Sequence, residues 1–325
     1  MILVLWLFMA IIGMLLALGM VLSFYFTRRS QLGEVHSPDE YGLEFENIKI
    51  KTSDGLTLHG VWVPAAGSHK AVVILHGHGG SYDFDLYRAP DLQKAGFNVL
   101  LFDFRAHGRS EGKQMTFGYR ERADITAAVE FLRQHGVKHI GLLGFSYGGI
   151  VAMLYAAENT DVEAVISDGG PARMRTAIAA RVTEMGFANW LARAIAWLII
   201  FMTSIRMGTS LFKYEPIRWV GHITPRPILF IHGDQDKYLP DFDELYAATR
   251  LPKEVWRLPN VGHTNASQFY PEEYTGRIIE FFKRNLRNKT LSLDEVKAPV
   301  NEANQQKKLT NRLSAGSQMD IFFDV

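Results

Sequence analysis

Ile140-Gly141-Leu142-Leu143-Gly144-Phe145-Ser146-Tyr147-Gly148-Gly149 is an apolar run that ends in a cluster of glycines around one serine. The stretch predicts a strand over 140–143, a sharp turn and a helix start, with Ser146 at the tip of the turn. Glycines two positions either side of the serine remove Cβ atoms where the chain must reverse tightly, and the helix that follows aims its first amides at the same point. Strand, turn and helix in this order form a nucleophile elbow.

Working outward, two further pieces supply what a serine nucleophile needs. A neutral hydroxyl attacks poorly without a base, and a histidine, with an ordinary pKa near 6.5, is both largely neutral and readily protonated at cellular pH. A buried-type strand over 228–231 runs into His232-Gly233-Asp234-Gln235-Asp236-Lys237-Tyr238-Leu239-Pro240, a carboxylate-bearing loop. A short strand over 255–258 is then followed by Pro259-Asn260-Val261-Gly262-His263. Upstream, an apolar run over 72–75 leads into His76-Gly77-His78-Gly79-Gly80. The chain order is serine, acid, histidine.

On these motifs the chain resembles the α/β-hydrolase superfamily, and within it the serine aminopeptidase-like and dienelactone hydrolase-like branches. Asp103-Phe104-Arg105-Ala106-His107-Gly108-Arg109-Ser110 is similar to the D-x-R-G-H-G-x-S segment after the fourth strand of such proteins, with Ala106 in place of the usual glycine. The resemblance covers about residues 43–286. It implies an α/β-hydrolase fold: a mostly parallel eight-stranded sheet flanked by helices, with a helical cap inserted after the sixth strand. It also implies a Ser146, His263 and acid relay without metal or organic cofactor. Asp236 takes the acid role by the match of D-x-x-L-P to the family's D-x-x-V-P loop, leaving Asp234 to cap the loop. Asp168, past the sixth strand, is assigned to the turn that opens the cap. The backbone amides of Tyr147 and His78 form the implied oxyanion hole. Asp103, Arg105 and His107 become a structural loop network.

Strand and helix signals alternate as a doubly wound fold requires. Residues 43–51 and 57–63 read as an antiparallel pair joined by Ser53-Asp54-Gly55, because Asp-Gly supplies the positive φ of a tight turn. Strands follow at 71–75, 98–102, 140–143, 162–167, 228–231 and 255–258. Residues 119–135 read as a helix capped by Gly136, with Ile125, Val129 and Leu132 on one face. More than fifty residues separate Asp168 from Thr224, too many for one crossover helix, and about 171–222 are read as the cap. Its apolar core, 194–205, has 12 uncharged residues. Trp190, Trp197, Leu198 and Phe201 are expected to line an acyl pocket or to touch a bilayer surface.

Residues 2–26 carry no charged side chain. As a helix they would span about 37 Å, enough for a hydrocarbon core of about 30 Å. No Lys or Arg precedes the run and it exceeds a signal-peptide core, so residues 1–27 are read as an uncleaved, single-pass anchor. Arg28 and Arg29 then place the catalytic part on the cytoplasmic side. A linker over 28–41, a hydrolase domain over 42–287 and a polar, disordered tail over 288–325 complete the plan.

With 325 residues, 47% of them hydrophobic, the chain can bury one large α/β core. A formal charge of +1 gives no nucleic-acid footprint. The absence of cysteine excludes disulfides, thiol nucleophiles and zinc-thiolate sites. His76-x-His78 fails the binuclear metal pattern because Gly80 stands where an aspartate is needed, and the glycine pairs lack the Lys-Ser or Lys-Thr of a phosphate loop. The expectation is a membrane-anchored serine hydrolase acting on ester, thioester or amide bonds of small or lipidic acyl substrates. The same scaffold could serve a peptidase, an acyltransferase or a non-catalytic binding protein.

Overall fold

Among the described residues, eight strands pair in the order β1-β2-β4-β3-β5-β6-β7-β8. In chain order they are β1 (Glu46–Lys51), β2 (Thr57–Val63), β3 (Lys70–Leu75), β4 (Asn98–Phe102), β5 (His139–Phe145), β6 (Ala164–Asp168), β7 (Ile228–Gly233) and β8 (Lys253–Leu258). β1 and β2 are antiparallel, β2 pairs antiparallel with β4, and the remaining pairs are parallel. This is the α/β-hydrolase fold, described in a computed structural model for residues 1–30 and 36–286. The polar tail read over 288–325 and linker positions 31–35 lie outside the described residues.

The sheet sorts its strands by burial. β4 and β6 are buried along their whole length. Helices cover both faces of a parallel sheet, so such strands read as continuous apolar runs rather than alternating ones. β1, at the edge, alternates buried Ile48 and Ile50 with exposed Lys49 and Lys51, and charge on an edge strand discourages pairing with another chain. β1 begins three residues later than the apolar pattern at 43 implies, because β2 runs into Pro64, which has no N–H to extend the ladder.

The helices are α1 (Ile2–Thr27), α2 (Ala89–Lys94), α3 (Glu121–Gln134), α4 (Tyr147–Glu158), α5 (Met174–Glu184), α6 (Asn189–Met207), α7 (Pro216–Trp219), α8 (Phe242–Ala248), α9 (Ala266–Phe269) and α10 (Pro271–Asn285). α4 follows the elbow directly and is buried from Tyr147 to Ala156, which explains its lack of a polar face. α5, α6 and α7 fill the interval between β6 and β7.

α1 is long and apolar enough to cross a membrane, and among its residues only Gly19, Ser23 and Thr27 are buried. These three lie along the face toward α6. A Cβ on Gly19 would stand 2.6 Å from Cγ of Leu198. Ser23 Oγ and Thr203 Oγ1 are hydrogen-bonded at 2.9 Å, and Arg206 Nη1 donates to Ser23 Oγ at 2.7 Å and to Thr27 Oγ1 at 3.1 Å. Small residues and shared hydroxyls are what close contact between two apolar helices requires.

Candidate active site

Ser146 closes the turn between β5 and α4 with φ +49° and ψ −109°. A non-glycine residue in that region is strained by about 1–3 kcal/mol and persists only where its surroundings fix it. Here they do. Ser146 N donates to the Asp168 carbonyl at 2.8 Å, tying the elbow to the end of β6. A Cβ on Gly144 would meet the Gly148 carbonyl oxygen at 2.4 Å, and one on Gly148 would meet the Leu75 carbonyl oxygen at 2.1 Å. Both flanking glycines are therefore required by close backbone approach.

His263 arrives on the loop after β8 and Asp236 on the loop after β7. Nε2 of His263 lies 2.7 Å from Ser146 Oγ, and its Nδ1 lies 2.7 Å from Asp236 Oδ2. The second carboxylate oxygen, Asp236 Oδ1, accepts from the Tyr238 amide at 2.9 Å. With its side chain only 1% exposed, Asp236 has both oxygens engaged and is held in one orientation. Asp234 is used otherwise, its Oδ1 accepting from the Asn260 amide at 2.7 Å across the two loops. These three side chains, 117 and 27 residues apart in sequence, thus form one continuous hydrogen-bonded line.

Tyr147 is the first residue of α4, where an amide has no acceptor within its own helix. His78 lies on the loop after β3, and Gly77 beside it comes close enough that its Cβ would stand 3.7 Å from Cβ of Ser146. Ser146, Tyr147, His78 and His263 share the lining of one cavity of about 760 Å³, within the range of small-molecule sites. Burial pushes the His78 imidazole below its ordinary pKa, opposed by a hydrogen bond to the Phe26 carbonyl. Another cleft, lined by Asp54, Arg105 and Glu158 among others, contains neither Ser146 nor His263.

Of the two roles expected of the four cap residues, lining a pocket or touching a bilayer surface, they do not fill the first at this cavity. Trp190 and Trp197 on α6 are 74% and 51% exposed. Leu198 packs on Gly19 of α1, and Phe201 stacks on Trp197 at 5.4 Å. α6 turns this side away from Ser146, and the cavity is walled instead by α5, through Met174, Ala177 and Ile178, and by the end of α1, through Tyr25 and Phe26. No motif marks those residues. Tyr238 was equally hidden as an ordinary member of the acid loop, yet it lines the cavity and lies against His263.

The other polar residues singled out in the sequence are engaged within the surrounding loops. Asp103 Oδ1 accepts from the Tyr82 amide at 2.8 Å and Oδ2 from the Arg109 amide at 2.7 Å. Arg105 is bonded to Asp124 and Asp54. His76 has both ring nitrogens occupied, Nε2 by the Phe104 amide and Nδ1 by the Gly77 carbonyl, so neither is available to a metal. Asp168 ends β6 rather than opening the cap: its carboxyl accepts from the Tyr274 hydroxyl at 2.7 Å, and burial raises its pKa to about 6.

Residues 70–211 match the family model described as alpha/beta hydrolase fold. An esterase of Pyrococcus furiosus superposes with a TM-score of 0.66 at 27% identity, covering 80% of this chain and 99% of the esterase. Among sequence relatives, the uncharacterized protein YfhR of Salmonella typhi is 28% identical over 289 residues, 83% of this chain and 94% of its own length. Protein bem46 of Schizosaccharomyces pombe is 25% identical over 215 residues, 63% of this chain and 65% of its own length.

Proposed function

From its membership of the α/β-hydrolase superfamily, and as a hydrolase, we propose that this chain is a membrane-anchored serine hydrolase that cleaves acyl esters through a covalent acyl-enzyme. The observation that carries the reading is the unbroken line Ser146 Oγ, His263 Nε2, His263 Nδ1, Asp236 Oδ2, with 2.7 Å at each of its two hydrogen bonds. That spacing suits proton transfer in either direction.

Ser146 Oγ attacks the carbonyl carbon while its proton passes to His263 Nε2. Asp236 holds the proton on Nδ1 and stabilises the imidazolium that forms. The amides of Tyr147 and His78 receive the negative oxygen of the tetrahedral intermediate, each worth about 3–4 kcal/mol in the transition state. Collapse breaks the bond to the leaving alcohol, which takes the proton from Nε2. Water then attacks the acyl-enzyme, its proton going to His263 and returning to Ser146 Oγ as the carboxylic acid departs. Thioesters and amides would follow the same steps with a thiol or an amine as leaving group.

The anchor is supported by the length and exposed apolar surface of α1. Arg28 and Arg29 at its end favour a cytoplasmic catalytic domain, which protease accessibility on intact cells would test. The central experiment is labelling of the full chain with a fluorophosphonate. Labelling of the wild type that vanishes in Ser146→Ala supports the serine mechanism, and a wild type that does not label refutes it.

A further inference from the structure

A helix that only tethered a hydrolase would have no reason to touch its active site. α1 does touch it. Tyr25 and Phe26, in its last turn, line the cavity that holds Ser146 and His263. The end of the helix and the chain just beyond it are tied to the loop that carries His78 and to the segment after β4. Ser30 Oγ donates to the Gly79 carbonyl at 2.9 Å, on the loop that carries His78. Met115 N donates to the Thr27 carbonyl at 2.9 Å, and Arg29 Nη2 to the Gly108 carbonyl at 2.7 Å.

The depth of this contact follows from helix geometry. A hydrocarbon core of about 30 Å is filled by about 20 residues at 1.5 Å each. Counted from Ile2, those residues end at Val21, and Tyr25, about 6 Å further along the helix, falls in the interfacial zone where amphipathic aromatic rings collect, with Arg28 and Arg29 at headgroup level. Acyl linkages of membrane lipids lie at that same boundary. The lip of the cavity is apolar there as well: Tyr25 from α1 and Met185 just past α5 both line the cavity and are 50% and 56% exposed. Phe187, just before α6, and Trp190 and Trp197 on it are exposed as well, and α6 packs back on α1.

We propose that the cavity is loaded sideways from the bilayer and that the substrate is the acyl ester of a membrane lipid. Its chain runs between the last turn of α1 and α5, against Phe26, Met174 and Ile178, and its carbonyl meets Ser146. The bilayer itself covers the exposed face of the cap hairpin. Hydrolysis consumes one water and yields a free fatty acid and the deacylated lipid or alcohol. This assignment rests on the serine reading above and adds the substrate class to it.

The test uses the full chain in phosphatidylcholine vesicles and a palmitoyl-length fluorophosphonate carrying a diazirine on its chain. After irradiation, Ser146 should carry the phosphonyl group and the chain should be crosslinked to the peptide holding Tyr25 and Phe26 or to α5. Labelled Ser146 with crosslinks confined to other segments overturns the inference while leaving the serine chemistry standing. Absence of label on Ser146 overturns both. Independently, Tyr25→Lys and Met185→Lys each place a charge on the lip. The ratio of kcat/KM for a vesicle-borne palmitoyl ester to that for a soluble acetyl ester should fall about tenfold in each. A ratio unchanged in both variants overturns lateral loading.

Discussion

The ring of Tyr238 lies over the imidazole of His263, with centroids 4.7 Å apart and planes inclined by 39°. The Tyr238 hydroxyl donates to Glu184 at the end of α5, so the acid loop, the imidazole and the cap are linked through one side chain. Tyr238→Ala removes the surface that keeps the imidazole from swinging and should lower kcat/KM on a soluble acetyl ester about tenfold. Tyr238→Phe keeps the ring and should stay within about threefold. Steady-state kinetics on both variants check this, and a larger loss in the Phe variant would mean that the link to Glu184, not the ring, is what matters.

The two loop aspartates divide cleanly by geometry. Asp236 meets His263 Nδ1, whereas Asp234 accepts from the Asn260 amide. Asp236→Asn should therefore cost about 10⁴ in kcat by favouring the wrong imidazole tautomer. Asp234→Asn keeps an oxygen for the Asn260 amide and should change kcat less than about threefold. Comparable losses in both variants would reject this division of roles.

All eight strands could be read in the sequence, the central ones as apolar runs bounded by glycine, proline or charged residues and β1 by its alternation of isoleucine with lysine. That Ser146, Asp236 and His263 would be brought together could be read as well, since an elbow and two loops after strand ends have fixed places in the chain. What stayed hidden was the cavity wall. Tyr25 and Phe26 belong to a helix whose composition speaks only of lipid, and whether an apolar side chain faces a bilayer, another helix or a pocket depends on which helix packs beside it. The same reason left two roles open for Trp190, Trp197, Leu198 and Phe201, a pocket or a bilayer surface: α6 is apolar over most of its circumference, so periodicity cannot say which side meets the catalytic domain.

His76 makes folding sensitive to acid. Its Nε2 accepts from the Phe104 amide at 3.0 Å, which requires a neutral ring protonated on Nδ1. Burial lowers its pKa from 6.5 to about 4. Between those values the unfolded chain binds a proton at this position and the folded protein does not. The stability contributed by the neutral ring is thus complete above pH 6.5 and disappears as pH falls toward 4. His76→Phe lacks this titration. Its unfolding free energy, subtracted from that of the wild type, should show the wild type losing about 2–3 kcal/mol of relative stability from neutral pH to about pH 4. Parallel urea-unfolding curves across the range would reject the assignment.

Ala106 occupies the position where the resembling families carry glycine, and it has φ +58°. A left-handed alanine costs about 1–2 kcal/mol, partly offset because glycine loses about 0.5–1 kcal/mol more conformational entropy on folding. Ala106→Gly should therefore stabilise the protein by about 0.5–1 kcal/mol. Both backbone bonds, from Ala106 N to the Glu111 carbonyl and from Ser30 N to the Ala106 carbonyl, are at 2.9 Å and need no side chain. Thermal unfolding gives the sign, and a lower midpoint in the variant would mean that the methyl group contributes more by packing than the backbone loses by strain.

Gly19 and Gly13 lie on the same helix and separate membrane insertion from placement of the cavity wall. A Cβ at Gly13 meets nothing within 4 Å, whereas one at Gly19 stands within 3 Å of three atoms of Leu198. Gly13→Ile should be silent. Gly19→Ile should force α1 away from α6, stretch the Ser23 to Thr203 hydrogen bond, and displace Tyr25 and Phe26, which lie about two turns further along the helix. Both variants keep an apolar run long enough to span, so both should sediment with membranes. Only Gly19→Ile should lose hydrolysis of a long-chain ester, by about tenfold, since misplacing a binding wall by about 1 Å is enough for losses of this order. Equal long-chain activity in the two membrane preparations would mean that the contact between α1 and α6 does not set the position of the wall.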